Sequence, residues 1–544
     1  AEGPCVGGKA ISDKGATGME QQIDANLTML DYTVIGVYLA IVVGIGIWVS
    51  RQTRTGEELF LAGRSLGWAA IGFSLFASNI STSTLVGLTG SAYSGGLTVS
   101  AYEWMAGIPL LMMAFIFAPV FLKSRISTTP EYLEKRFSRR VRLYFSGLTI
   151  VFTVIVDTAG GLYAGAVVLQ VFFPDLQIWM SCVAIGLFAG IYTATGGLRA
   201  VVYTDILQAV VLICGTALTA FLMYQSVDFS WESVRSQVPD GHLSIVQPID
   251  DATLPWPGLI TGVWLLGFWY WVTNQYIVQR VLGARDLSQA QLGAILGGIL
   301  KILPTFFIIL PGVMALVTLP DIQNSDQVFP IIITEVLPSG LTGLVMAGLI
   351  AAIMSTVDST LNSSSSLLVN DFLTRHGHEP DEEQSKTWGT RATLGFMVIA
   401  IAWAPMIQFF GGLWEYIQQA FSVLVPPLVV CFTLGALWAR GTATAAFWTL
   451  ILGHALGLCV FIANQYGIWP LHFTINVTIM TVVSGILFVG ISLMGDETEV
   501  DDDAIWDREK AFNTDATNAP FLQNAKTYGW VLAALMLGTL ILFW

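Results

Sequence analysis

Apolar runs of about 20 residues, the length a helix needs to cross the hydrocarbon of a bilayer, recur along nearly the whole chain. They are continuous. Strict alternation would mark the strands of a membrane β-barrel, so helices are expected instead. The pattern predicts fourteen spans near 32–50, 66–94, 99–122, 144–173, 177–195, 203–225, 257–279, 288–319, 341–373, 389–410, 413–437, 445–464, 472–494 and 528–544. Residues 1–31 would precede the first span, and residues 495–527 would form the longest polar loop. The expected fold class is therefore an all-α polytopic membrane protein.

Composition agrees. Of 544 residues, 54% are hydrophobic and only 11% charged, with a mean hydropathy of +0.68. Soluble domains carry about 25% charge. The basic residues orient the chain, because short cytoplasmic loops retain Lys and Arg. With residues 1–31 outside, the inner loops collect "RQTR", "KSR", "EKRFSRRVR" and most later arginines, while the outer side keeps Lys9, Lys14 and Arg235. Both termini are then expected outside a plasma or inner membrane, with lipid as the surrounding partner.

The net charge of −14 comes largely from loops such as "PIDDATL" and "DETEVDDDAIWDRE", which read as solvated connectors. No basic patch suits nucleic acid. The five cysteines lack metal-ligand spacing and imply no disulfide. Residues 1–18 differ from the rest and read as an extension before Met19, an upstream misread or an added segment; they do not read as a cleavable signal peptide.

Two spans carry polar interruptions. The second reads "GFSLFASNISTSTLVGL", with Ser78, Asn79, Ser81, Thr82, Ser83 and Thr84 nearly consecutive. The seventh reads "LLGFWYWVTNQYIVQR", with Thr273, Asn274 and Gln275 after three aromatics. A broken helix in hydrocarbon is tolerated only where protein or a cavity covers its backbone. The breaks lie five spans apart. An odd offset gives two halves of opposite topology, the pattern of an inverted-repeat transporter.

Ionisable residues inside the spans are few and costly: Glu103, Asp157, Asp205, Lys301 and Asp358. Glu103 and Lys301 have opposite signs. With Asn79, Asn274, Gln418 and the aromatics Trp269, Tyr270 and Trp271 they form a set suited to a neutral polyhydroxyl ligand. A carboxylate would call for free helix N-termini or arginine. No nucleophile–base pair points to an enzyme.

The blocks "SLFASNIS", "AYEWM", "TTPEYLEKRF", "TGGLRAVVYTDILQ", "WYWVTNQYIVQR", "KILP", "IMSTVDSTLNS" and "EYIQQ" together resemble the solute:sodium symporter family, most closely its sodium/glucose and sodium/galactose cotransporters. The resemblance covers roughly residues 30 to 544. It implies the leucine-transporter-type fold, with an extra first helix at 32–50, inverted five-helix repeats at 66–225 and 257–437, two additional helices over 445–494, and a last helix at 528–544. It implies sodium-coupled movement of a neutral monosaccharide by alternating access; the alternatives are another solute such as inositol, or a sodium-dependent sugar sensor.

The family's sugar contacts match Asn79, Glu103, Asn274, Lys301 and Gln418. Thr84 departs, since the family usually has Gln or His there. Tyr102 and Trp414 match outer-gate positions, and Tyr276 matches the inner gate. Sodium ligands match Ala77, Ile80 and Ala352 through carbonyls, and Ser355 and Thr356 through hydroxyls. Relatives with a second sodium use positions matching Asp205, Ser355, Asp358 and Ser359; here one hydroxyl has become the carboxylate of Asp358.

Overall fold

The computed structural model describes residues 27–50, 64–126, 128–196, 198–373, 382–496, 500–521 and 524–544. For 188–196 and 198–209 it describes the helical backbone only. The described residues are almost entirely helical.

In chain order the main helices are α1 Met29–Ser50, α2 Trp68–Asn79, α3 Thr82–Gly95 and α4 Leu97–Lys123. There follow the short α5 Thr129–Arg136, then α6 Arg139–Phe172, α7 Ile178–Gly196 and α8 Leu198–Ser226. Next come α9 (256–273), α10 Gln275–Leu282, α11 Leu287–Thr318, α12 Val328–Val336 and α13 Leu341–Leu373. The chain continues through α14 Glu382–Trp403, α15 Leu413–Leu437, α16 Ala443–Gln465, α17 Phe473–Met494 and α18 Ala525–Leu542. Nine of the described helices are long and apolar enough to cross a membrane, or ten if α2 and α3, bent by 62°, count as one span.

Both polar interruptions are backbone breaks. The first falls at Ile80 and Ser81, which leave the helical region (φ −78°, ψ 77° and φ −99°, ψ 168°). The second is a π-helical turn over Trp269–Thr273, followed by an extended Asn274 (φ −68°, ψ 120°). Each break is re-capped by its own polar residues. Ser81 Oγ accepts from Thr84 N (3.3 Å), and Asn274 Oδ1 accepts from Tyr276 N (3.2 Å). These caps satisfy backbone donors that hydrocarbon could not.

The breaks sit against a buried aromatic core joining α4, α6, α9 and α15. Phe117 meets Phe268 at 5.5 Å, Phe145 meets Phe432 at 5.5 Å, and Phe145 meets Trp269 at 6.2 Å between ring centroids. Trp269 is completely buried.

Charged groups fix the helix ends. α1 begins three residues before the expected span, and the buried Asp31 in its first turn caps a neighbour: its Oδ1 accepts from the amides of Gly340 (2.7 Å) and Gly343 (2.8 Å) at the start of α13. At the other end of α15, the buried Arg136 of α5 donates to the carbonyls of Gly435 (2.7 Å), Gly441 (3.1 Å), Trp438 (2.9 Å) and Ala439 (3.2 Å). A guanidinium suits that end, where orphan carbonyls concentrate negative potential.

Candidate functional site

The centre of the site is an ion pair that spans three helices. Lys301 of α11 donates through Nζ to Glu103 Oε2 of α4 and to Asn79 Oδ1 at the end of α2. The two charged side chains are 1% and 2% exposed. A single charge so deep in apolar surroundings would be strongly disfavoured, and removing one partner of such a pair costs about 3–5 kcal/mol. The Trp271 ring lies 5.6 Å from the ammonium and adds its face to the same group. Glu103, Lys301 and Asn79, expected from sequence to share a pocket, are thus brought together.

Thr84 joins them through the backbone. Its hydroxyl donates to the Asn79 carbonyl at 2.8 Å and lies 3.2 Å from Ser81 Oγ. The side chain that departs from the family pattern is therefore engaged by the break itself. Tyr270 of α9 donates to the Ser78 carbonyl at 3.1 Å, linking the second broken helix to the first.

Beside Glu103, the Tyr102 ring meets Trp414 edge-on at 5.6 Å. Gln418 is buried four residues further along α15, on the same face as Trp414. On α10, Tyr276 meets Tyr270 edge-on at 5.8 Å. Asp157 lies in a π-helical turn of α6. Among the described residues, the buried Nδ2 of Asn274 and Nε1 of Trp414 have no hydrogen-bond partner. Buried donors without partners are costly, so each is available to a ligand oxygen.

The expected cation ligands lie on the first break and on α13, which Thr82 joins. Ser81 N donates to the Asn79 carbonyl (2.9 Å) where a continued helix would use that of Ala77. Thr82 Oγ1 donates to Leu349 O of α13 at 3.1 Å, which docks the break on that helix. One turn on, Thr356 Oγ1 donates to Ala352 O at 2.9 Å. Ser355 and Ser359 are half-buried and Asp358 is buried, three and four residues apart on one face. Carbonyls, hydroxyls and a carboxylate are the hard oxygen donors a small cation takes. Asp205 lies in α8, but its side chain is outside the described residues.

Sequence reasoning missed several contacts. Arg142 bridges Glu134 and Asp371 (2.7 Å to the latter), and Asp371 also accepts from Ser146 Oγ, joining α5, α6 and the end of α13. Asp326, in the loop before α12, accepts from the amide of Leu413 at the start of α15. Neither contact has a signal in hydrophobic periodicity; "EKRFSRRVR" was legible only as positive charge.

Two broken helices, joined by the Tyr270–Ser78 bond and flanked by a buried ion pair, suit a polytopic membrane transporter. Its relatives narrow the class. The sequence model of the Sodium:solute symporter family matches residues 59–453, and the chain belongs to that family. It is 33% identical over 520 residues to Sodium/glucose cotransporter 1 of Oryctolagus cuniculus, covering 85% of this chain and 78% of that protein. It is 34% identical over 456 residues to the Sodium/glucose cotransporter of Vibrio parahaemolyticus, covering 78% and 83%. The fold matches a Na+-coupled sialic acid symporter solved in a substrate-bound outward-open state, with a TM-score of 0.72 at 23% identity, over 87% of this chain and all of that one. Sodium is the coupling ion.

Proposed function

We propose that this protein is a sodium-coupled symporter that moves a neutral monosaccharide, of the glucose or galactose type, into the cell by alternating access. The observation that carries this reading is the Lys301–Glu103–Asn79 cluster at the first break, a paired base, acid and amide with no net charge. Paired charges offer strong donors and acceptors to hydroxyls and offer nothing to balance an anion. Asn274 and Gln418 complete the sugar contacts, with Thr84 acting through the break. Tyr102 and Trp414 close the outer path and Tyr276 the inner one. The names of the sodium/glucose cotransporters it resembles support the same substrate class.

The same reading takes fourteen spans: an extra helix at 32–50, inverted five-helix repeats at 66–225 and 257–437, and three further helices, with both termini outside. The excess of Lys and Arg in alternate loops supports the orientation. An inner face at α5 and the end of α13 accords with the basic cluster found there.

Uptake into proteoliposomes against a panel of sugars tests the function. An inward sodium gradient should drive accumulation of glucose or galactose above equilibrium, and collapsing the gradient should stop it. Accumulation of inositol alone would redirect the reading to a polyol. Binding without accumulation would make the protein a sensor.

Two sodium ions per sugar are part of the proposal. The first is held by Ala77, Ile80, Ala352, Ser355 and Thr356, the second by Asp205, Ser355, Asp358 and Ser359. Asp358→Leu should bring the charge-to-sugar ratio from two towards one, whereas Asp358→Ser should keep two with weaker sodium affinity. A wild-type ratio of one would contradict the second site.

A further inference from the structure

The start of α15 carries Trp414 and Gln418, and its first amide is held by a loop residue that no sugar or sodium contact explains. Asp326 sits in the turn Ser325–Gln327 and is 2% exposed. Its two carboxylate oxygens accept from Leu413 N at 3.1 and 3.0 Å, and Oδ2 also accepts from the Tyr163 hydroxyl of α6 at 3.1 Å. The loop is pressed onto the outer half of the first broken helix: a Cβ on Gly90 of α3 would lie 2.3 Å from Ser325 O. One carboxylate therefore ties together α6, α15 and a loop seated on α3.

The residues just before Leu413 are Gly411 (φ +80°) and Gly412 (φ +137°), both in backbone regions that favour glycine. Two glycines there give α15 a hinge at this end. The opposite end is fixed by Arg136 on four carbonyls. A helix anchored at one end and hinged at the other moves most at the hinged end, and Trp414 is the second residue of that end. It meets Tyr102 while Asp326 holds its neighbour.

We propose that Asp326 is a positioning residue of the outer gate: by clasping Leu413 N and Tyr163 it holds Trp414 over Tyr102 and favours the outward-closed state. To move Trp414 off Tyr102 the start of α15 must leave the loop, and a buried carboxylate then loses its donors. Such a group contributes most in the one state that satisfies it. This inference rests on the transport reading above, in which Tyr102 and Trp414 are the outer gate.

The test compares Asp326→Asn, Asp326→Ala and Tyr163→Phe with the wild type in two independent measurements. In the first, hydrogen–deuterium exchange of the 411–418 segment is followed in purified protein with and without sodium. Sodium, which favours the outward-open state, should raise exchange in the wild type. Asp326→Asn should raise it without sodium by about tenfold, the scale of a lost hydrogen bond to a charged group, and leave little further response to sodium. In the second, Asp326→Asn should lower both the sodium half-saturation and kcat, because binding of external sodium becomes easier and closure harder. Tyr163→Phe should move both in the same direction by less. If Asp326→Ala does not fold, the other two variants decide. Unchanged exchange, or lower yield with an unchanged sodium half-saturation, would overturn the clasp. Absence of sodium-driven uptake in the wild type would count against the transport reading instead, and the exchange measurement would still decide the clasp.

Discussion

The two broken helices engage most of their polar residues locally and differ in what they leave free. At the first break the hydroxyls turn inward: Thr84 bonds to the Asn79 carbonyl, Ser81 caps the Thr84 amide, and Thr82 reaches Leu349 on α13. At the second break Thr273 likewise donates to the Trp269 carbonyl at 2.9 Å and Gln275 Oε1 accepts from Thr129 N at 2.8 Å, which leaves the capping to Asn274. Asn274 uses its oxygen on Tyr276 N and keeps its amide nitrogen without a partner among the described residues. The first break is thereby a shaped backbone, suited to presenting carbonyls to a cation. The second retains a free donor, suited to an uncharged ligand. Only the Asn79 side chain at the first break faces the Lys301–Glu103 pair. In the proposed function, ion coupling and solute recognition have different addresses a few residues apart, and the two breaks are joined by the Tyr270 bond to Ser78.

The largest effect is expected where the two breaks meet. Glu103→Ala should abolish saturable sugar uptake and weaken sugar binding by at least about 100-fold, since Lys301 would keep a buried charge without its acid partner. Uptake kinetics, together with a check of membrane insertion, decide this; near-normal affinity would remove Glu103 from the site.

Asn274→Ser sharpens the contrast. Serine caps a helix nearly as well as asparagine but lacks the amide donor. Sugar affinity should fall by about tenfold, the worth of roughly one hydrogen bond, with sodium half-saturation little changed. If sodium affinity falls equally, the second break is structural only.

Thr84→Val should do the reverse. Losing the hydroxyl loosens the first break, so sodium and sugar affinities should decline together by about threefold to tenfold, again one hydrogen bond. Thr84→Ser should behave as the wild type. A change confined to the ranking of sugars would return Thr84 to direct recognition.

Legibility in the sequence followed the same division. Length and hydropathy located the long apolar helices, nine or ten of which among the described residues can cross a membrane, because hydrocarbon sets a minimum span. The polar runs at 78–84 and 273–275 located the breaks, because hydroxyls and amides are otherwise rare there. Glu103 and Lys301 stood out for the same reason and do meet. Thr84, in contrast, was legible as a departure from a family pattern, but its engagement with Asn79 needed the backbone of the break to be seen. Asp31, Arg136 and Asp326 were unremarkable in sequence: an acid or base near a predicted helix end has no periodic signature, and what each caps is a helix far along the chain. Helix α1 contains the expected span 32–50 and begins three residues before it, and Asp31 reads as a loop acid until Gly340 and Gly343 are brought to it.

The smallest effect is expected at the inner tyrosines. Tyr276→Phe keeps the ring contact with Tyr270 and removes one hydroxyl without touching the cap of either break. Sodium-free leak of sugar should rise by about threefold, the low end of what one polar group contributes, and sugar ranking should stay the same. An altered ranking would place Tyr276 in recognition.

The most direct test of the central claim, that separate sites for ion and solute are coupled through the joined breaks, is equilibrium binding of labelled galactose to purified protein with and without sodium. Saturating sodium should raise sugar affinity by about tenfold or more, and saturating sugar should raise sodium affinity by the same factor, as linkage requires. Equal sugar affinities in the presence and absence of sodium would contradict the account.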